Sequence, residues 1–168
     1  QKNTGTGLVH VFFADPDGAP DAVDVDTANA NITSDTSALS GWVSPEPTGV
    51  VPDSVPYIGE AATEVAITVS GTARIKAVRG VSNAALAAAA TAAITAALTS
   101  YFASLDIGGR DPVAGAGVVY TTDLREVAGA AYPGLYNAIV TLPVATTTAI
   151  PLGNVATFIA GSWTVTVV

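Results

Sequence analysis

SNAALAAAATAAITAALTSYFASL, residues 82–105, decides how the rest of this chain is read. The stretch holds neither Gly nor Pro, and Ala, the strongest helix former, dominates it. Ser82 or Asn83 can cap its start, because either side chain can accept a hydrogen bond from an unpaired first-turn N–H. Leu86, Ile94, Leu98, Tyr101, Phe102 and Leu105 recur at helical intervals and draw one apolar stripe. The other faces carry Ala, Thr and Ser, with no charge from Ser82 to Leu105. Small side chains all round let other backbones approach, so the helix is expected to pack on its own sheet on one side and on further protein on the other. The residues expected at such an interface are Leu86, Ala90, Ile94, Ala97, Leu98 and Tyr101, with Trp42 and Trp163 as aromatic anchors. A membrane span is not read here. Ser82, Asn83, Thr91, Thr95, Thr99 and Ser100 interrupt the apolar run, and no Lys/Arg flank or Trp/Tyr belt frames both ends.

Outward from the helix the chain reads mostly as strands. On the upstream side Val65, Ile67 and Val69 alternate with Glu64, Ala66, Thr68 and Ser70, and the pattern predicts a strand over Thr63–Arg79 with a bulge at Gly71. Downstream, Ile107 to Pro112 reads as a turn and Gly117 to Tyr120 as a short apolar strand. A second helix opens at Thr121, where Asp123 and Glu126 have the spacing of a capping box, and closes at Tyr132-Pro133-Gly134. Extended pieces follow over Leu135–Leu142, Val144–Ile150 and Phe158–Val168, the last with Trp163, Val165 and Val167 alternating.

Nearer the N-terminus, Gly7–Ala14 is β-prone almost throughout, which predicts a strand buried on both faces. Asp15-Pro16-Asp17-Gly18 stops it with turn chemistry. Thr27–Val43 reads as a short helix around Ser34–Trp42 or as an irregular loop. Ser44–Pro56 carries four prolines and is extended or turning. A short strand fits Ser54–Gly59. The sum is an α+β fold: a mixed sheet packed by one long Ala-rich helix and one or two short helices. Residues 1–62 form an N-terminal strand with an acidic, Pro-rich loop, residues 63–168 the α+β part, and the two are expected to be one continuous structural unit.

The 168 residues are 49% hydrophobic and only 12% charged, against about 25% charged in an ordinary soluble domain. Such a chain needs a surface rich in Thr, Ser and Gly, or partners that cover it. The net charge of −8 argues against nucleic acid, whose phosphates require Lys/Arg stripes, and against an anionic membrane surface. With no cysteine there is neither a disulfide nor a thiolate metal site. The chain starts at Gln1 and has no methionine, so a processed protein or a piece of a longer one is expected. Charge is also unevenly placed. Ten of the 14 acidic residues precede position 65, and no Lys or Arg occurs from Asn3 to Ala73. A solvated acidic loop is favoured over an acidic half that meets another copy's basic half.

Candidate chemistry is sparse. His10, the sole histidine, sits between Val9 and Val11 and reads as a packed or hydrogen-bonded strand residue. No Gly-x-Ser-x-Gly elbow, phosphate-binding loop or dinucleotide fingerprint is present, so no enzyme and no cofactor are expected. Asp15, Asp17 and Asp21, with Asp24 and Asp26, form the sharpest local group and are the candidate ligands for a divalent ion. The EF-hand template fails, because its sixth position is Pro20 rather than Gly and its twelfth is Asp26 rather than Glu. A turn on a solvated acidic face is the expected reading.

The order of elements in the second half resembles the C-terminal region of the baseplate J-like family, the wedge proteins of contractile phage tails and related injection machines. The residues that carry the resemblance are Val65 to Val69, Leu86 to Leu105, Gly108-Gly109, Val118 to Tyr120 and Thr122-Asp123-Leu124-Arg125. Pro133-Gly134-Leu135-Tyr136-Asn137, Leu142-Pro143, Ile150-Pro151-Leu152 and Trp163-Thr164-Val165 continue it. Gly7 to Phe13 resembles the family's first strand. Two features depart from the family: the acidic stretch Asp15–Glu64 replaces a better-formed helix, and the family's N-terminal domains are not in the sequence. The resemblance implies a structural subunit of a baseplate wedge without catalysis, whose partners are other copies of itself and other tail proteins, located in a virion or injection particle. The alternative expectation is a secreted, β-rich, calcium-dependent adhesion module. The turn reading predicts that calcium leaves the melting temperature unchanged. A calcium-dependent rise in melting temperature, lost in an Asp15→Asn/Asp17→Asn variant, would instead establish an ion site.

Overall fold

The computed structural model describes residues 2–3, 9–15, 18–20, 25, 27, 57–108, 110–113 and 116–168. The chain divides into two compact units, Gln1–Thr63 and Glu64–Val168. In the first, β1 (Lys2–Asn3) runs antiparallel to β2 (Val9–Phe13), and β2 runs parallel to β3 (Tyr57–Ala61). Val11, Phe12 and Phe13 are half-buried rather than buried on both faces. The Asp15–Gly18 turn closes as a small bridge: Asp15 N–H donates to Gly18 O at 2.8 Å and Gly18 N–H to Asp15 O at 3.0 Å. The expectations for Ser34–Trp42 and Ser44–Pro56 lie outside the described residues.

The second unit is α+β. Its main sheet has the order β7-β4-β9, from β4 (Thr63–Ile75), β7 (Leu135–Leu142) and β9 (Asn154–Val167). β4 and β7 are antiparallel, with register shifts at Ser70/Gly71 and between Thr72 and Arg74. β4 and β9 are parallel at their C-terminal ends. Val168 N–H donates to Ile75 O and Ala77 N–H to Val168 O, both at 2.9 Å, the slanted exchange of a parallel pair. Glycine is required where these strands converge. A Cβ on Gly71 would lie 2.7 Å from the Trp163 ring, and one on Gly161 would lie 2.6 Å from Val69 O. A second sheet has the order β5-β6-β8, from β5 (Arg110–Val113), β6 (Ala116–Tyr120) and β8 (Thr147–Pro151). The turn expected over Ile107–Pro112 is therefore shorter, with its second half in β5. The strand expected to reach Arg79 ends at Ile75 instead; among the described residues the Ala77–Val168 bond continues it by one step.

α1 (Asn83–Ala103) matches the helix read from the sequence, and Ser82 caps it by accepting from Ala85 N–H at 3.2 Å. Its buried residues are Leu86, Ala90, Ile94, Leu98 and Phe102, one strict every-fourth row. Ile94, Leu98 and Phe102 close on Ile67, Val69 and Ala73 of β4, Ala156 of β9, Val119 of β6 and Ile150 of β8, while Leu86 and Ala90 pack with Ile75, Tyr132, Leu135, Val165 and Val167. α2 (Thr121–Ala130) adds Leu124 and Ala128. The capping box expected at its start is absent. Tyr120 occupies the cap position without a side-chain bond, and Asp123 accepts the Tyr101 hydroxyl at 3.3 Å, tying the two helices together. Thr121 pins the chain before β8 through bonds to Ala145 O at 2.6 Å and Thr146 O at 3.0 Å. Leu98 is fully buried at the centre of this core. Leu98→Ala is therefore expected to cost about 2–5 kcal/mol, from lost transfer energy plus the cavity left behind, as measured by chemical denaturation.

Candidate interaction surface

The sequence-predicted interface residues divide sharply. Leu86, Ala90, Ile94 and Leu98 are at most 3% exposed and belong to the core, so they are corrected from interface to interior. The physical reason is that the large apolar stripe finds its partner within the chain, in β4 and β9. Ala97 and Tyr101 are half-buried on the flanks of that row. Trp163 is half-buried against the core, with its indole nitrogen buried and unbonded among the described residues. Trp42, Asp17 and Asp21 lie outside the described residues. Asp15 is exposed beside its turn, and His10 pairs with Lys2 and Ile58 in its sheet.

The face of α1 turned away from the sheet carries the sequence's second message. Ala85, Ala88, Ala89, Ala92, Ala96 and Ala103 are exposed there, with no charged residue on the helix. Thr91, Thr95 and Thr99 donate their hydroxyls to the carbonyls of Ala87, Thr91 and Thr95 at 2.9, 3.1 and 2.9 Å. Each hydroxyl proton is thus satisfied four residues back, and the helix exterior is dominated by methyl groups. By length and composition alone α1 could cross a bilayer. Its every-fourth row, however, is committed to the sheet.

Beside the start of this helix is an open apolar groove of about 520 Å³, lined by Val78, Val81, Ala85, Leu86, Ala89, Tyr132 and Pro133. Val78 and Val81 are 50% and 43% exposed. The far face of the main sheet is also poor in charge. Thr68, Thr72, Thr164 and Thr166 point outward beside Tyr136 and Ile139, and Arg74 is the one charged residue in β7, β9 and residues 66–75 of β4. This is the Thr-rich surface that the composition called for. Among the described residues no group of three or more His, Asp or Glu side chains is placed to hold a metal.

Charge separates the two units. Residues 64–168 carry five acids (Glu64, Asp106, Asp111, Asp123, Glu126) and five bases (Arg74, Lys76, Arg79, Arg110, Arg125), for a net charge of zero. The whole excess of −8 therefore belongs to residues 1–63. The uncharged, methyl-rich face of α1 can be covered without desolvating a charge on that helix. No protein-family model matches the chain, and no curated protein matches it. Ala92 lies mid-helix on the exposed face. Ala92→Lys is expected to change unfolding free energy by less than about 0.5 kcal/mol while lowering the binding of an apolar fluorescent dye by the folded chain.

Proposed function

We propose that this chain is a structural subunit of a contractile phage tail or related injection-machine baseplate, acting in wedge assembly through protein–protein contacts. The observation that supports the reading best is the pairing of element order with surface chemistry. The segments that resemble the baseplate J-like family fall on β4, α1, β6, α2, β7 and β9 in that order. Pro133-Gly134 forms the turn into β7, where Gly134 takes a positive φ of 83°. Trp163-Thr164-Val165 lies within β9. Around this frame the surface offers methyl groups, Thr hydroxyls and an apolar groove. These are features of a part that is covered by neighbours, and its work is contact rather than catalysis. Its partners are further copies and other tail proteins within a virion or injection particle.

Disruption of the coding gene, followed by electron microscopy of sheathed particles, tests the reading. The expected result is loss of complete baseplates, restored by the intact gene. Unaltered particles would overturn it, and a chain whose melting temperature falls on chelation would point to the calcium-dependent adhesion module instead.

A further inference from the structure

The parallel bonds between Val168 and β4 fix which way each β9 residue faces. Val168 directs its N–H and C=O to Ile75 and Ala77, and Ser162 N–H turns to Ser70 Oγ at 3.1 Å. Backbone direction alternates along a strand, so Thr164 and Thr166 also face β4, while Trp163, Val165 and Val167 present their N–H and C=O groups to the opposite edge. In the order β7-β4-β9 no described strand borders that edge. Natural edges are blunted by Lys, Pro, bulges or short length. β9 has 14 residues with no charge and no Pro. The opposite edge strand, β7, is interrupted instead: it carries two register shifts against β4 and a positive φ of 52° at Asn137, and Pro143 follows it.

We infer that β9 pairs antiparallel with β9 of a second copy about a two-fold axis near Val165, joining two sheets into one of six strands. Three further observations select a second copy. The unit containing β9 has no net charge, so the surfaces brought together at this edge add no repulsion of their own to that of the acidic residues 1–63. The outward side-chain positions of β9 are filled by Ser162, Thr164 and Thr166, and the inward ones by Trp163, Val165 and Val167, so the strand is complementary to its own reverse. The helix layer also continues across the axis. α1 shares its core with both β4 and β9, so two copies of α1 would lie about two strand spacings apart, roughly 10 Å, at the upper end of helix-pair distances. Tyr101, bonded to Asp123, and the groove shared with Tyr132 mark the flank of α1 nearest α2. The opposite flank, with Ala84, Ala88, Thr91, Thr95 and Thr99 at 100° per residue, is uncharged and has the small side chains this approach needs.

The inference deepens the assembly reading, on which its biological setting rests, by naming one partner and one contact. Light scattering on residues 1–168 over a concentration series is expected to reach twice the 16.7 kDa chain mass. Thr164→Lys with Thr166→Lys is expected to weaken dimerisation at least ten-fold with an unchanged circular dichroism spectrum. Thr68→Lys with Thr72→Lys, on the same sheet face one strand inward, should leave it intact. Amide exchange at Trp163, Val165 and Val167 is expected to slow at least ten-fold on going from dilute to concentrated protein. This readout on the unaltered chain decides the matter even where a variant misfolds. A monomer at every concentration, a dimer indifferent to the β9 substitutions, or edge amides that exchange equally fast at both concentrations would overturn the contact. None of these results alters what the micrographs of the gene disruption report about the baseplate.

Discussion

The second unit depends on one row of side chains. Leu86, Ala90, Ile94, Leu98 and Phe102 follow each other every fourth residue and form the only part of α1 that is fully enclosed. Ile94, Leu98 and Phe102 share a core with residues of β4, β6, β8 and β9, and Leu86 and Ala90 pack with Ile75 of β4 and Val165 and Val167 of β9, so the one row touches both sheets. Ala90 within it is as fully buried as its larger neighbours. Phe102 extends the contact by stacking near Phe158, with ring centroids 5.6 Å apart. Every buried side chain among the described residues outside glycine is apolar. The core therefore sets its geometry by packing, with polar bonds such as Tyr101–Asp123 confined to its margin.

Much of this was legible in the sequence, because the signals were local. An Ala-rich run without Gly or Pro bounded by a cap-type Ser gives a helix, and the strict alternation of Val65, Ile67 and Val69 gives a strand. Leu135–Leu142 was readable to the residue. Where reading failed, a tertiary contact outweighed a local preference. Asp123 has the spacing of a capping residue, yet α2 begins two residues earlier at Thr121 and leaves Asp123 inside its first turn, where it accepts from Tyr101, 22 positions away in sequence. Arg110–Val113, with Gly-rich flanks and a Pro, has turn composition and becomes a strand because β6 lies beside it.

The interaction surface was half legible. Composition called for a surface rich in Thr, Ser and Gly or for partners that cover it, and Thr and Ala line the outer sheet face and the outer face of α1. Which face of the helix turned outward was not legible, because interface and core draw on the same apolar residues. Only the sheet's position separates Leu98 from Ala92. Likewise the direction of each β9 backbone group follows from a bond between residues 75 and 168, a relation without any sequence signature.

The back-bonded threonines of α1 have a consequence for how such a face could be covered and uncovered. In water an exposed Thr normally trades its hydroxyl bond with solvent, and drying the surface breaks that bond. Here the proton is already held within the helix, so moving the face from a wet to a dry setting leaves Thr91, Thr95 and Thr99 with their donors satisfied. Alanine loses no rotamer freedom when it is immobilised. The face therefore gains little area per residue on contact, but it also surrenders little entropy. It is a surface of low friction, on which a wrong first docking can be released and tried again.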